Sequence, residues 1–192
     1  MMNTDFSIKG KVAVITGAAG VLGGSLARHF AEQGAEVVAL VHRPEQVEMF
    51  PVAYACNVMD VESVSEVAAK IIEKYSKVDI LINVAGGNVA GANVMPDQNF
   101  WDMKIEDWNK VTNLNMNGTV YPSIVVSEVM ARQKKGSIVN ISSMAALQSM
   151  TNVPGYSAAK AAVTNFTMCL AMDMAKKYGD GIRVNAVAPG FF

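Results

Sequence analysis

Tyr156 and Lys160 stand four positions apart in the run Gly155-Tyr156-Ser157-Ala158-Ala159-Lys160. On a helix that spacing sets a phenol and an ammonium group on one side. A free phenol titrates at about pH 10, too high to exchange protons readily near neutrality. A fixed positive charge beside it favours the anion and makes the pair a usable acid and base. Ser143 lies upstream, just past the run Ser137–Ile141, where Val and Ile predict a strand. A hydroxyl at a strand end can face the ligand crevice of a parallel sheet. Alone, a Tyr/Lys pair at this spacing is most often a surface pair. A second stretch capable of chemistry, Thr16-Gly17-Ala18-Ala19-Gly20-Val21-Leu22-Gly23-Gly24, follows a strand and opens a helix. Its glycines allow a sharp turn and close approach of a pyrophosphate, while the helix start offers free amides and a positive dipole end. No Lys-Ser/Thr follows, which excludes the nucleoside-triphosphate loop. A tight strand-to-helix turn without a ligand is the plainer reading.

These groups need a scaffold, and the hydrophobic pattern supplies one. Lys11–Thr16, Glu36–Val41, Val52–Cys56, Val78–Val84, Ser137–Ile141 and Ile182–Val187 read as strands, and their unbroken Val/Ile/Leu runs predict burial on both faces. Helices are predicted over Gly20–Gln33, ended by Gly34 as a left-handed glycine, and over Asp60–Tyr75, capped by Asp60. Two more cover roughly Glu106–Gln133 and Gly155–Tyr178. Between Arg43 and Val52, Pro44 and Pro51 leave room only for a short helical turn. Strand alternating with helix predicts one α/β domain over residues 1–192, a doubly wound parallel sheet.

Composition narrows the partners. Charged residues make up 17% of the 192, with a net charge of -1 and no Lys/Arg cluster, so nucleic acid is not an expected partner. No run reaches the ~18 apolar residues of a membrane span. Gly17, Gly20, Gly23 and Gly24 break the stretch that imitates a signal peptide. Cys56 and Cys169 are far apart and form no CxxC pair. They read as two buried thiols of a cytoplasmic protein, without disulfide or metal. Low charge content fits a homo-oligomer, and the 13 Met residues would fill core and interface gaps. Asp79 is expected at a strand entrance in a solvated or capping role rather than a catalytic one, and His29 is expected to be structural. Trp101 and Trp108 either wall a substrate pocket or pack in the core, with packing favoured.

Taken together, these stretches resemble the short-chain dehydrogenase/reductase family. TGAAGVLG is similar to its TGxxxGxG loop, with Val21 in place of the middle glycine and Gly20 one position early. That variant resembles the sugar-acid branch of fructuronate reductases and mannonate oxidoreductases. Ser143, Tyr156 and Lys160 match the family's Ser, Tyr and Lys, and Asn115 in Leu114-Asn115-Met116-Asn117-Gly118 matches its Asn. Asn83-Val84-Ala85-Gly86 resembles the family's NNAG, Asn57-Val58 its Asp-Val, and Pro189-Gly190 its PG, so the likeness runs from about residue 8 to residue 192.

The resemblance implies a Rossmann fold and hydride transfer between NAD(P)(H) and a carbonyl or secondary alcohol. Tyr156 would be the general acid and base, Lys160 would hold the nicotinamide ribose and ease phenol ionisation, and Ser143 would bond the substrate oxygen. Asn115 would hold a water behind Lys160. The cofactor would lie on Gly17, Gly20, Val21, Leu22, Gly23, His42, Arg43, Asn57, Val58, Asn83, Ala85, Gly86, Tyr156, Lys160, Pro189 and Gly190. At Asn57 an amide keeps the acceptor oxygen of the family's carboxylate. NADP(H) is favoured over NAD(H), because the second strand ends in His42 and Arg43 rather than an acid. Gly86-Gly87-Asn88 and the long loop to Asp102 resemble the sugar-acid branch and point to a sugar acid or polyol. The alternative is a nucleotide-binding protein with weak or no turnover. Relatives continue past Pro189-Gly190, so the length predicts an incomplete catalytic domain whose sixth strand is an exposed edge.

Overall fold

The computed structural model describes residues 6–150 and 152–190. Six strands, β1 (Val12–Thr16), β2 (Glu36–Val41), β3 (Ala53–Ala55), β4 (Ile80–Asn83), β5 (Gly136–Ile141) and β6 (Ile182–Val187), form one sheet. All neighbours are parallel, in the order β3-β2-β1-β4-β5-β6. The four helices are α1 (Val21–Glu32), α2 (Val61–Tyr75), α3 (Ile105–Gln133) and α4 (Pro154–Tyr178). Order reverses between β1 and β4, so the crossovers diverge there and open a crevice at the carboxyl ends of the strands. This is the doubly wound Rossmann fold expected.

Local chemistry sets the helix ends. Asp60 caps α2 by accepting the Glu62 amide at 3.0 Å. Gly34 follows α1 at φ +81°, where a side chain would be strained. Pro44 starts a 3₁₀ turn over Pro44–Met49, the short helical piece expected.

The two faces of the sheet are covered unequally. Val12, Val14, Val38, Leu81, Ile138 and Val184 pack under α2, α3 and α4. Ile15, Ala39, Val41 and Ile82 pack on the α1 side with Ala27, Leu26 and Phe30. α1 reaches only the β1–β2–β4 part of the sheet. Burial on both faces therefore holds for β1 but not for β5, where Ser137, Val139 and Ile141 are half-exposed, nor for β6, where Arg183, Asn185 and Val187 are exposed. As expected, β6 is an edge among the described residues.

Three smaller expectations are corrected. Cys56 is buried, but Cys169 is exposed, because α4 turns Lys160, Val163, Thr167 and Met174 inward and leaves Met168, Cys169 and Met172 outside. Trp101 neither walls a pocket nor packs: it is 81% exposed on a 3₁₀ turn of the loop before α3, whereas Trp108 packs beside Gly155. His29 lies on the surface of α1, its Nδ1 3.8 Å from Glu32. Asp79 does cap a strand start, accepting the Val12 amide at 2.9 Å.

Candidate active site

The crevice at the β1/β4 reversal is a cavity of about 630 Å³. Its floor is the turn from β1 into α1. Gly17 sits at φ +65°, and a Cβ there would come within 2.8 Å of the Ala85 backbone. A Cβ on Gly23 would collide with the Gly17 carbonyl. Gly20 is in ordinary extended geometry, and a Cβ there would press on the Gly17 carbonyl oxygen at 3.3 Å, so the displaced glycine still serves a tight turn. Among the described residues, the amides of Val21, Leu22 and Gly23 have no acceptor. Three unpaired amides at a helix start, in a cradle that side chains would fill, fit a pyrophosphate. Thr16 Oγ1 accepts the Val84 and Ala85 amides at 3.0 and 3.1 Å, which draws the β4 exit against this turn.

One end of the cavity is walled by His42, Gln46, Cys56, Asn57, Val58 and Met59. Asn57 keeps its acceptor oxygen, but the Met59 amide uses it at 3.1 Å. Burial pushes the Cys56 thiol above its usual range, an effect the Ser63 hydrogen bond partly offsets. Arg43 is not on the wall: its Nε lies 3.4 Å from Glu45 on the surface.

The other end holds Ser143, Tyr156, Lys160, Ala85, Gly86, Pro189 and Gly190. The strand-end serine and the helical pair thus share one crevice, as their spacing predicts. Ser143 leads out of β5 into a short turn that its Oγ caps by accepting the Ala145 amide at 3.1 Å. Met144 N–H donates to Pro189 O at 2.9 Å, tying that turn to the segment after β6. Lys160 is 3% exposed, and its Nζ donates to Ile141 O at 2.7 Å and lies 5.6 Å from the Tyr156 ring centre. Loss of solvent lowers its pKa from 10.5 to about 8. Ser142 and Thr164 hold the Lys160 carbonyl at 3.2 and 3.0 Å, fixing α4 against the end of β5.

Two predicted residues stay behind the wall. Asn115 is fully buried on α3: its Nδ2 donates to Gly87 O at 2.7 Å and Val111 O at 2.8 Å, and its Oδ1 accepts the Gly87 amide at 3.1 Å. It therefore grips the Gly86–Gly87 backbone. Asn83 donates to Ser123 Oγ at 2.9 Å and Asn140 Oδ1 at 2.8 Å, and Asn140 in turn donates to Thr167 Oγ1 at 2.9 Å. This buried chain links β4, β5, α3 and α4 beneath the site. Sequence reasoning missed Gln46, Met59, Leu114 and Ser142, which also line the cavity. Ser142 was signalled by its neighbour Ser143; Gln46 carried no local signal.

Residues 11–192 match the short chain dehydrogenase family. The chain is 37% identical to the 3-oxoacyl-[acyl-carrier-protein] reductase FabG of Thermotoga maritima, over 96% of this chain and 75% of that protein. It is 35% identical to a Haemophilus influenza protein provisionally identified as a D-mannonate oxidoreductase and solved with NAD bound (TM-score 0.85, 97% of this chain and 72% of that one). The NADP-bound structure of ElxO is similar as well, at 30% identity and TM-score 0.85, over 95% and 74% of the two chains.

Proposed function

The chain belongs to the short-chain dehydrogenases, NAD(P)-dependent oxidoreductases, and from that premise we propose that it interconverts a carbonyl and a secondary alcohol on a sugar acid or polyol, with Tyr156 moving the proton. The observation that carries the reading is that Ser143, Tyr156 and Lys160 line the same cavity as the glycine turn. When bound, the nicotinamide supplies or accepts the hydride. In the reductive direction the Tyr156 hydroxyl gives its proton to the oxygen that becomes the alcohol. Ser143 Oγ already accepts the Ala145 amide, so its own hydrogen remains free to donate to that oxygen. One Lys160 proton is engaged by Ile141 O, and the others are left for the ribose and for replenishing the phenol. Gly86-Gly87-Asn88 and the likeness to the Haemophilus protein support a polyhydroxylated substrate.

The same reading favours NADP(H) over NAD(H). No carboxylate lines the His42 end of the cavity, so nothing there repels a 2′-phosphate. Glu45, the nearest acid in sequence, is turned to Arg43, and an exposed pair of that kind holds by no more than about 1 kcal/mol. Met116 and Ile124 on α3 and Met168 and Met172 on α4 are exposed apolar side chains that support association of copies.

Absorbance of the reduced nicotinamide, followed across sugar acids, ketoses and polyols, tests the activity. Tyr156→Phe is expected to bind dinucleotide like the parent while turnover falls by about 10²-fold or more. Turnover retained in this variant refutes the role given to Tyr156. Dinucleotide binding without turnover of any substrate by the parent chain favours the weak or inactive alternative.

A further inference from the structure

We infer that Gln46 reads the 2′ substituent of the adenine-side ribose, an inference that rests on the cofactor reading above. Gln46 lines the cavity next to His42, on the 3₁₀ turn that follows β2. Its Oε1 accepts the Arg43 amide at 3.0 Å. Because an N–H can only be met there by the oxygen, that contact settles which way the carboxamide points. Both hydrogens on Nε2 are then left over, and among the described residues they have no acceptor. The turn is rigid at this point, since Pro44 fixes its first φ and the Phe50 amide closes it on Val47 O.

The consequence is that Gln46 offers this part of the wall donors and no charge. A carboxylate at such a place accepts from a ribose hydroxyl and repels a phosphate. The Gln46 amide can donate to a hydroxyl oxygen or to phosphate oxygens, and the bond to a charged acceptor is roughly twice as strong. Gln46 therefore admits both cofactors and prefers the phosphorylated one. Arg43 lies outside the wall, engaged with Glu45, and adds charge only from the rim.

The test uses two probes that lack nicotinamide, so Tyr156 and Lys160 do not enter: 5′-AMP and adenosine 2′,5′-bisphosphate, titrated calorimetrically into the full chain. The parent is expected to bind the bisphosphate more tightly. Gln46→Glu keeps an oxygen for the Arg43 amide and hence keeps the turn. It should weaken the bisphosphate about tenfold or more and leave 5′-AMP within about threefold, an effect of charge repulsion at one position. Gln46→Met, which removes the donors without adding charge, should lose about fivefold on the bisphosphate and less on 5′-AMP. It stands as the readout if the Glu variant does not fold. Variants that bind 5′-AMP and keep the parent's preference within about twofold overturn the role of Gln46 while the dinucleotide reading stands. A parent chain that binds neither probe overturns both.

Discussion

Lys160 is a charge held against the stability of the fold. It is 3% exposed, its one acceptor is Ile141 O, and no carboxylate among the described residues lies within ion-pair distance. Its pKa falls from 10.5 in the open chain to about 8 in the fold, through burial. For a group whose folded pKa is depressed, the associated stability is full above the unfolded value and is lost as pH drops through the folded one. The window here is therefore about pH 10.5 down to about 8. At ~1.4 kcal/mol per unit, the protonated side chain costs about 3 kcal/mol at pH 7 and about 2 kcal/mol at pH 9. Lys160→Met has similar length and no charge, and it leaves Ile141 O unpaired, which costs about 1 kcal/mol. The variant should thus be more stable than the parent by about 2 kcal/mol at pH 7, and the gap should narrow by about 1 kcal/mol at pH 9. Urea unfolding at both pH values, followed by tryptophan fluorescence, measures this. Subtracting the variant removes the opposing contribution of Cys56, whose raised pKa makes stability fall at alkaline pH. Turnover should be lost in the same protein, the pattern of a functional group kept at the expense of stability. A variant no more stable than the parent at pH 7, or a gap that does not narrow, refutes the reasoning.

Gly23→Ala should destabilise the fold by about 2 kcal/mol, because its methyl meets the Gly17 carbonyl in a turn with no slack. A thermal melt shows this, and 5′-AMP affinity should drop with it. Unchanged melting means the turn can relax. Asp79 behaves oppositely to Lys160: burial alone would raise its pKa, but the Lys77 hydrogen bond, the Val12 amide and Lys11 together lower it. Its stabilisation is present above the unfolded carboxyl value and is lost as pH falls through the lowered one. Asp79→Asn should lower stability at neutral pH and leave it unchanged in strong acid, so a constant difference across an acid titration speaks against it.

Periodicity and spacing along the chain were enough to place all six strands and four helices within one or two residues, the cap at Asp60 and the left-handed Gly34. The strand-end position of Ser143 and the shared helix side of Tyr156 and Lys160 were legible too, but it was the likeness to the short-chain dehydrogenases that set them apart from an ordinary surface pair, and the three do line one crevice. What the tertiary structure decided is which neighbour each side chain meets. The same Val/Ile-rich pattern lies buried on both faces in β1 and on one in β5, because α1 reaches the first and not the second. Asn115 and Asn83 carry the right residue types at the right positions, yet long-range bonds to Gly87 and Asn140 hold them behind the wall. Arg43 is drawn off by Glu45 while Gln46 takes the wall position, a choice made by the 3₁₀ turn and not by either residue's own preference. Hydrophobic period encodes which residues leave water, a local property. Which polar atoms find each other depends on how distant segments are brought together, and that is fixed only when the chain closes.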